Sequence, residues 1–315
     1  VGSYPDGAPR APANRRRGRS STLAVLAAVL VGVWWVRTPD PRADLRALAD
    51  PTTYADLLAR AEELVDGVAT GGERLLAGGS GGVPVVEVAR PDDAPPPGLG
   101  EAGSRLAPPV GPGASDPSYA FAALQDDGDA PVAWSPCRAV HYVVRTQGAP
   151  AGFVEAVRGA VGEVSAATGL VFADDGATDE APDPGRQAYL PDRYGDRWAP
   201  VLVAVTDATA VPTLDGDVAG VTYTYRARGP SSGVWHLTSG AVYLDAEALD
   251  GPGGPGGEPA WAAVLRHELG HLVGLDHVDD PRQLMNPVTS DVRTFQGGDR
   301  TGLAILGRGE CAPDL

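Results

Sequence analysis

The chain has 315 residues, 43% hydrophobic and 21% charged, which allows a sizeable core and excludes a wholly disordered chain. Its net charge of −16 is unevenly placed: residues 1–37 carry six arginines against the single acid Asp6, so the remaining 278 residues stand at −21, with no lysine anywhere. An acidic body without clustered cations excludes nucleic acid as a partner, because phosphate backbones are bound by cations that displace counterions.

Residues 1–21 form a basic tail, read as cytoplasmic, that runs into an apolar stretch from Thr22 to Val36 broken only by Gly32. As a helix this stretch spans roughly 22 Å, short of the ~30 Å hydrocarbon core, which fits a cleaved signal peptide. It ends, however, in Trp34 and Trp35 instead of small residues, which fits an uncleaved signal-anchor with indoles at the interface. Both readings give residues 22–36 a membrane as partner and place the chain beyond Val36 outside the cell, either tethered there or secreted.

Over residues 37–70 the spacing of Leu57, Leu58, Ala61, Leu64, Val65 and Val68 predicts an amphipathic juxtamembrane helix, with a stalk or a pro-segment as alternatives. Residues 71–132 are rich in glycine and proline, interrupted by the strand-like VPVVEVA, and read as a linker. The folded part is expected from 133 to 315. Strand patterns at 139–145, at LVFADD, and at 201–207, 219–226 and 239–245 surround a helix over 153–169, which predicts an α/β (α+β) fold with a mixed, twisted sheet. Cys137 and Cys311, one near each end of this part, are read as a single disulfide formed in an oxidising compartment, with two unpaired thiols as the alternative.

The most informative stretch is EPAWAAVLRHELGHLVGLDH, residues 258–277, with Glu258 and Pro259 marking a helix start. On that helix His267 and His271 are four residues apart and project from one face one turn apart, so both imidazoles can reach one metal ion. Glu268 lies about 100° round the helix, placed to serve a metal-bound water as a base without being a ligand. A third ligand ten residues after His267 would be roughly 15 Å away on a continuing helix. Gly274 can take the positive φ that ends the helix and returns His277 to the other two. The string is therefore H-E-x-x-H-x-x-G-x-x-H, and it predicts a zinc site of His267, His271 and His277. His141 and His236 are isolated and are read as non-ligands, and Asp276 is one residue out of register for ligation.

With these residues in view, the chain resembles the metzincin metalloproteases, and the matrixins in particular. QLMNP places Met285, the only methionine, eight residues after His277, where that family has a methionine turn beneath the metal. Phe295 and GGDRTGLAILG then read as a closing helix capped by Asp299. The resemblance implies a zinc endopeptidase acting on peptides or proteins, with Glu268 as general base. An extended peptide would lie along a sheet edge, for which AGVTYTYR is the expected strand, and the resemblance implies a side-chain pocket walled by Pro287 to Thr289. Acids at Asp215, Asp217, Asp245, Glu247 and Asp250 are either calcium ligands, as in related enzymes, or solvated loop residues. The family's pro-segment cysteine, which plugs the zinc, has no counterpart between residues 38 and 130, which leaves Cys137, if unpaired, as the alternative plug. The residue after His277 is Val278 instead of serine, and Pro287 stands where astacins have tyrosine. A competing function is that of a tethered binding or scaffold protein with a structural or inactive zinc site, against which the intact Glu268 counts.

Overall fold

The architecture was read from a computed structural model, which describes residues 75–76, 85–88, 94–111, 113, 115–216, 218–250, 258–288 and 291–315. The basic tail, the apolar run 22–36 and the helix expected over 37–70 lie outside them. Among the described residues no helix is long and apolar enough to cross a membrane.

The strands are β1 (Leu75–Leu76), β2 (Val85–Glu87), β3 (Ala133–Trp134), β4 (Val140–Arg145), β5 (Phe172–Thr178), β6 (Val201–Thr206), β7 (Gly220–Arg228) and β8 (Trp235–Asp245). The helices are α1 (Phe153–Thr168), the single turn α2 (Pro191–Tyr194), α3 (Trp261–Val273) and α4 (Gly297–Leu306). All the strands belong to one sheet of order β1-β2-β7-β8-β6-β4-β5, with β3 pairing β8 off this path. β4 runs parallel to β5 and β6, β6 parallel to β8, and β7 antiparallel to β8, so the sheet is mixed.

Burial explains which sequence became which strand. β6 reads VLVAVT without alternation because it is central and covered on both faces, and its first five residues are buried. β5 reads FADDGAT and has no buried residue, as expected of an outer strand with acids along its edge. On one face of the sheet, α1 contributes Phe153, Val157, Val161 and Val164, and α3 contributes Leu265, Leu269 and Leu272, to a core shared with Val203, Val242 and Leu244. The other face carries a second cluster in which Leu202, Tyr223, Tyr225 and Tyr243 meet Trp198, Leu214, Ala312 and Leu315.

Two expectations require correction. Within the supposed linker 71–132, the described chain is laid down on the domain. Ala122 N–H donates to Gly274 O at 3.0 Å, Asp276 N–H to Ala120 O at 2.9 Å, and Ala102 N–H to Cys137 O at 2.7 Å. Arg105 Nη2 donates to Gly307 O at 2.6 Å. A proline-rich segment has little conformational entropy to lose, so backbone hydrogen bonds and a few apolar contacts such as Phe121 suffice to dock it. The second correction concerns AGVTYTYR, which is not a free edge along its whole length. Val85, Val86 and Glu87 of β2 pair parallel with Thr224, Tyr225 and Arg226 of β7.

Cys137 and Cys311 are joined in a disulfide across a sequence separation of 174, with their Cα atoms 5.3 Å apart. It ties the chain entering β4 to the segment after α4, and neither sulfur is free to plug a metal site.

Candidate metal centre

α3 begins at Trp261, two residues after Pro259. Glu258 accepts from Arg266 Nη2 at 2.7 Å, and the same guanidinium bonds Glu163 on α1, so the two helices are fastened beside the site. The helix stops at Gly274, whose φ of 115° is open to glycine and whose N–H reaches back to the carbonyls of Gly270 and His271. A Cβ there would also stand 2.8 Å from Leu306 Cδ2. Phe121 bridges Leu275 in antiparallel fashion and holds the emerging turn.

That turn brings His277 to the helix. Its Nε2 lies 3.1 Å from Nε2 of both His267 and His271, and the latter two are 2.9 Å apart. His267 Nδ1 faces Leu284 O at 2.7 Å and His271 Nδ1 faces Leu275 O at 2.8 Å. Carbonyls accept only, so both Nδ1 atoms carry the proton and both Nε2 atoms present lone pairs. Lone pairs held this close repel unless a cation lies between them. Nitrogens on a tetrahedral zinc would be about 3.3 Å apart, so the donor set and its spacing fit that ion. Burial pushes His267 down to about 4 and His271 well below the usual imidazole range, which keeps both rings in the neutral, ligating form.

Glu268 is buried, and desolvation pushes its carboxyl up to about 7, opposed by a hydrogen bond from Thr222. Met285 is also buried, directly under α3: a Cβ at Gly270 would come within 2.6 Å of its sulfur, so this helix position has no room for a side chain. Val278 N–H donates to Met285 O at 3.1 Å and Asn286 Nδ2 to Val278 O at 2.9 Å, which fastens the methionine turn to the stretch of chain leaving His277. Pro287 and Val288 are exposed beyond it, and Thr289 lies outside the described residues.

The matrixin family model matches residues 235–304. That stretch is matrixin-like. It spans β8, α3, the three histidines, Met285 and most of α4, and supports a zinc metalloprotease in general. No curated protein matches the chain significantly. The matrixin-like stretch thus coincides with the part of the fold that builds the triad.

The other sequence candidates fall elsewhere. His141 Nδ1 faces Asp175 at 2.8 Å on β4, and His236 is buried at the start of β8. Asp276 accepts from the His277 backbone N–H at 2.8 Å and is one of the side chains that shape the turn. Among the described residues, Asp215, Asp245 and Glu247 join no group of three converging ligand atoms, so calcium has no support; Asp217 and the Asp250 side chain are not described. A cavity of about 350 Å³ lined by Trp134, Arg138, Trp198 and His236 includes none of the triad.

One supporting residue takes a different place from the one its sequence position suggests. Asp299 is the third residue of α4, not its cap: Gln296 is the cap, and the two form a reciprocal box. Its buried carboxylate accepts from Leu284 N–H at 2.8 Å, Met285 N–H at 3.2 Å and Gln296 N–H at 2.8 Å. Leu284, which Asp299 grips by its N–H, is also the residue whose carbonyl orients His267. Asp299→Ala would strand three donors, so we expect a stability loss on the order of 3 kcal/mol and zinc affinity weakened by about tenfold. Chelator competition against wild type checks the second figure, and unchanged affinity would separate Asp299 from the site.

Proposed function

We propose that the chain is an exported zinc-dependent endopeptidase, tethered by residues 22–36, with His267, His271 and His277 as metal ligands and Glu268 as general base. The observation that carries this reading is the convergence of three Nε2 atoms within 3.1 Å of one another at the helix that also carries the buried Glu268. When bound, zinc supplies a Lewis acid for a peptide carbonyl and an acidified water. Glu268 takes the proton released in the attack and returns it to the leaving amine. Its raised affinity for a proton suits both halves of that task.

The substrate is an extended peptide that adds as a strand to β7. Because β2 occupies Thr224 to Arg226, the substrate's main-chain partners lie in Gly220 to Tyr223, the part of β7 that passes Glu268. The test is a peptide-library digest with the purified full chain, before and after dialysis against a chelator. We expect cleavage that disappears with the metal and returns with stoichiometric zinc. Cleavage that survives complete removal of zinc would overturn the proposal.

A further inference from the structure

β7 crosses α3 with Gly220 and Thr222, two residues apart and therefore on one side of the strand, facing Glu268. At Gly220 a Cβ would stand 2.9 Å from Glu268 Cγ and 3.0 Å from Oε1, so the carboxylate packs directly on bare backbone. Thr222 is buried, with Oγ1 2.8 Å from Glu268 Oε2 and 2.9 Å from the Glu268 backbone oxygen. Both are acceptors when Glu268 is ionised, and the hydroxyl has one hydrogen to give. The backbone oxygen sits inside a helix, where the N–H four residues on supplies a donor. With its backbone oxygen already served by the helix, the acceptor that needs the Thr222 proton is Oε2, 2.8 Å away.

We propose that Thr222 is the positioning residue for Glu268: its hydroxyl ties Oε2 to β7, the space left at Gly220 admits the carboxylate, and Oε1 is left to receive and release the proton. Threonine suits the task because its β-branched side chain has few rotamers on a strand, so the hydroxyl is held where it is needed. The inference rests on the reading of Glu268 as the base.

The experiment compares full-length wild type, Thr222→Val, Thr222→Ser and Gly220→Ala, each loaded with zinc. It measures metal content, kcat and KM on one peptide found in the digest, and the crystal structure of each form. Valine keeps the shape and removes the hydroxyl. We expect Thr222→Val to hold wild-type zinc and KM within about twofold while kcat falls by about 10- to 100-fold, the scale of a reacting group misplaced by about 1 Å. Its Glu268 carboxylate should leave the position seen beside β7. Thr222→Ser should recover most of kcat. Gly220→Ala, with the hydroxyl intact, should displace the carboxylate and also lower kcat, which keeps the test open if Thr222→Val folds poorly. Wild-type kcat in Thr222→Val, no recovery with serine, or a Glu268 carboxylate unmoved without the hydroxyl would each overturn the proposal. If the wild type cleaves nothing, the endopeptidase reading fails on its own, and the carboxylate position in the variants still decides whether Thr222 holds it.

Discussion

Glu268→Gln is expected to lower kcat by about 10²- to 10⁴-fold, the range typical of a lost general base, while zinc content stays at one ion per chain. The amide has the same shape, and its oxygen can still accept from Thr222, 2.8 Å from the present Oε2. What it cannot do is take a proton. The three converging nitrogens belong to His267, His271 and His277, so metal binding has no need of residue 268. Activity with peptide and zinc content by mass spectrometry are the two readouts. If zinc is lost in step with activity, Glu268 is a ligand and the roles must be redrawn.

The same variant carries a stability signature with a definite sign. Burial pushes Glu268 up from 4.5 to about 7, so the metal-free native state holds a proton that the unfolded chain has already released. Glu268 therefore weakens the folded state progressively as pH rises from about 4.5 through about 7, and glutamine removes that effect. With zinc chelated, Glu268→Gln should be more stable than wild type at pH 8 by on the order of 3 kcal/mol, and the two should converge near pH 4.5. Parallel melts at the two pH values check this; equal melting temperatures at pH 8 would show that the carboxyl is not desolvated.

Opening the Cys137–Cys311 disulfide has the largest expected effect on stability. The bond spans a sequence separation of 174, for which the chain-entropy account gives about 5 kcal/mol. In a domain of this size that corresponds to a fall in melting temperature of about 10–20 °C. Zinc should remain bound below the new transition, since neither sulfur takes part in the triad. Calorimetry with and without reductant, together with intact mass under non-reducing conditions, decides the matter. Two free thiols in the isolated protein, or a melting temperature indifferent to reductant, would refute it.

What the sequence by itself determined was local. The eleven residues from His267 to His277 carry the triad because helical spacing and one glycine turn are enough to bring three imidazoles together, and no distant residue has to be known. α1 and β6 were legible for the same reason, the first from an apolar repeat of 3.6 and the second from an unbroken apolar run. Composition misled where it was used alone. Glycine and proline in 71–132 describe a chain that forms no helix, but not whether its backbone finds partners, and Ala120, Ala122 and Arg105 do. Asp299 looked like a helix cap because acids favour helix starts; that it also holds Leu284 and Met285 depends on where α4 packs. Thr222 gave no signal at all, being one threonine in a strand until the sheet sets it against Glu268, 46 residues away. β2 lies beside β7 across a gap of about 140 residues. Periodicity reports which face of an element is apolar, whereas the partner that covers that face is chosen by the packing of the whole sheet, and only the tertiary structure decides it.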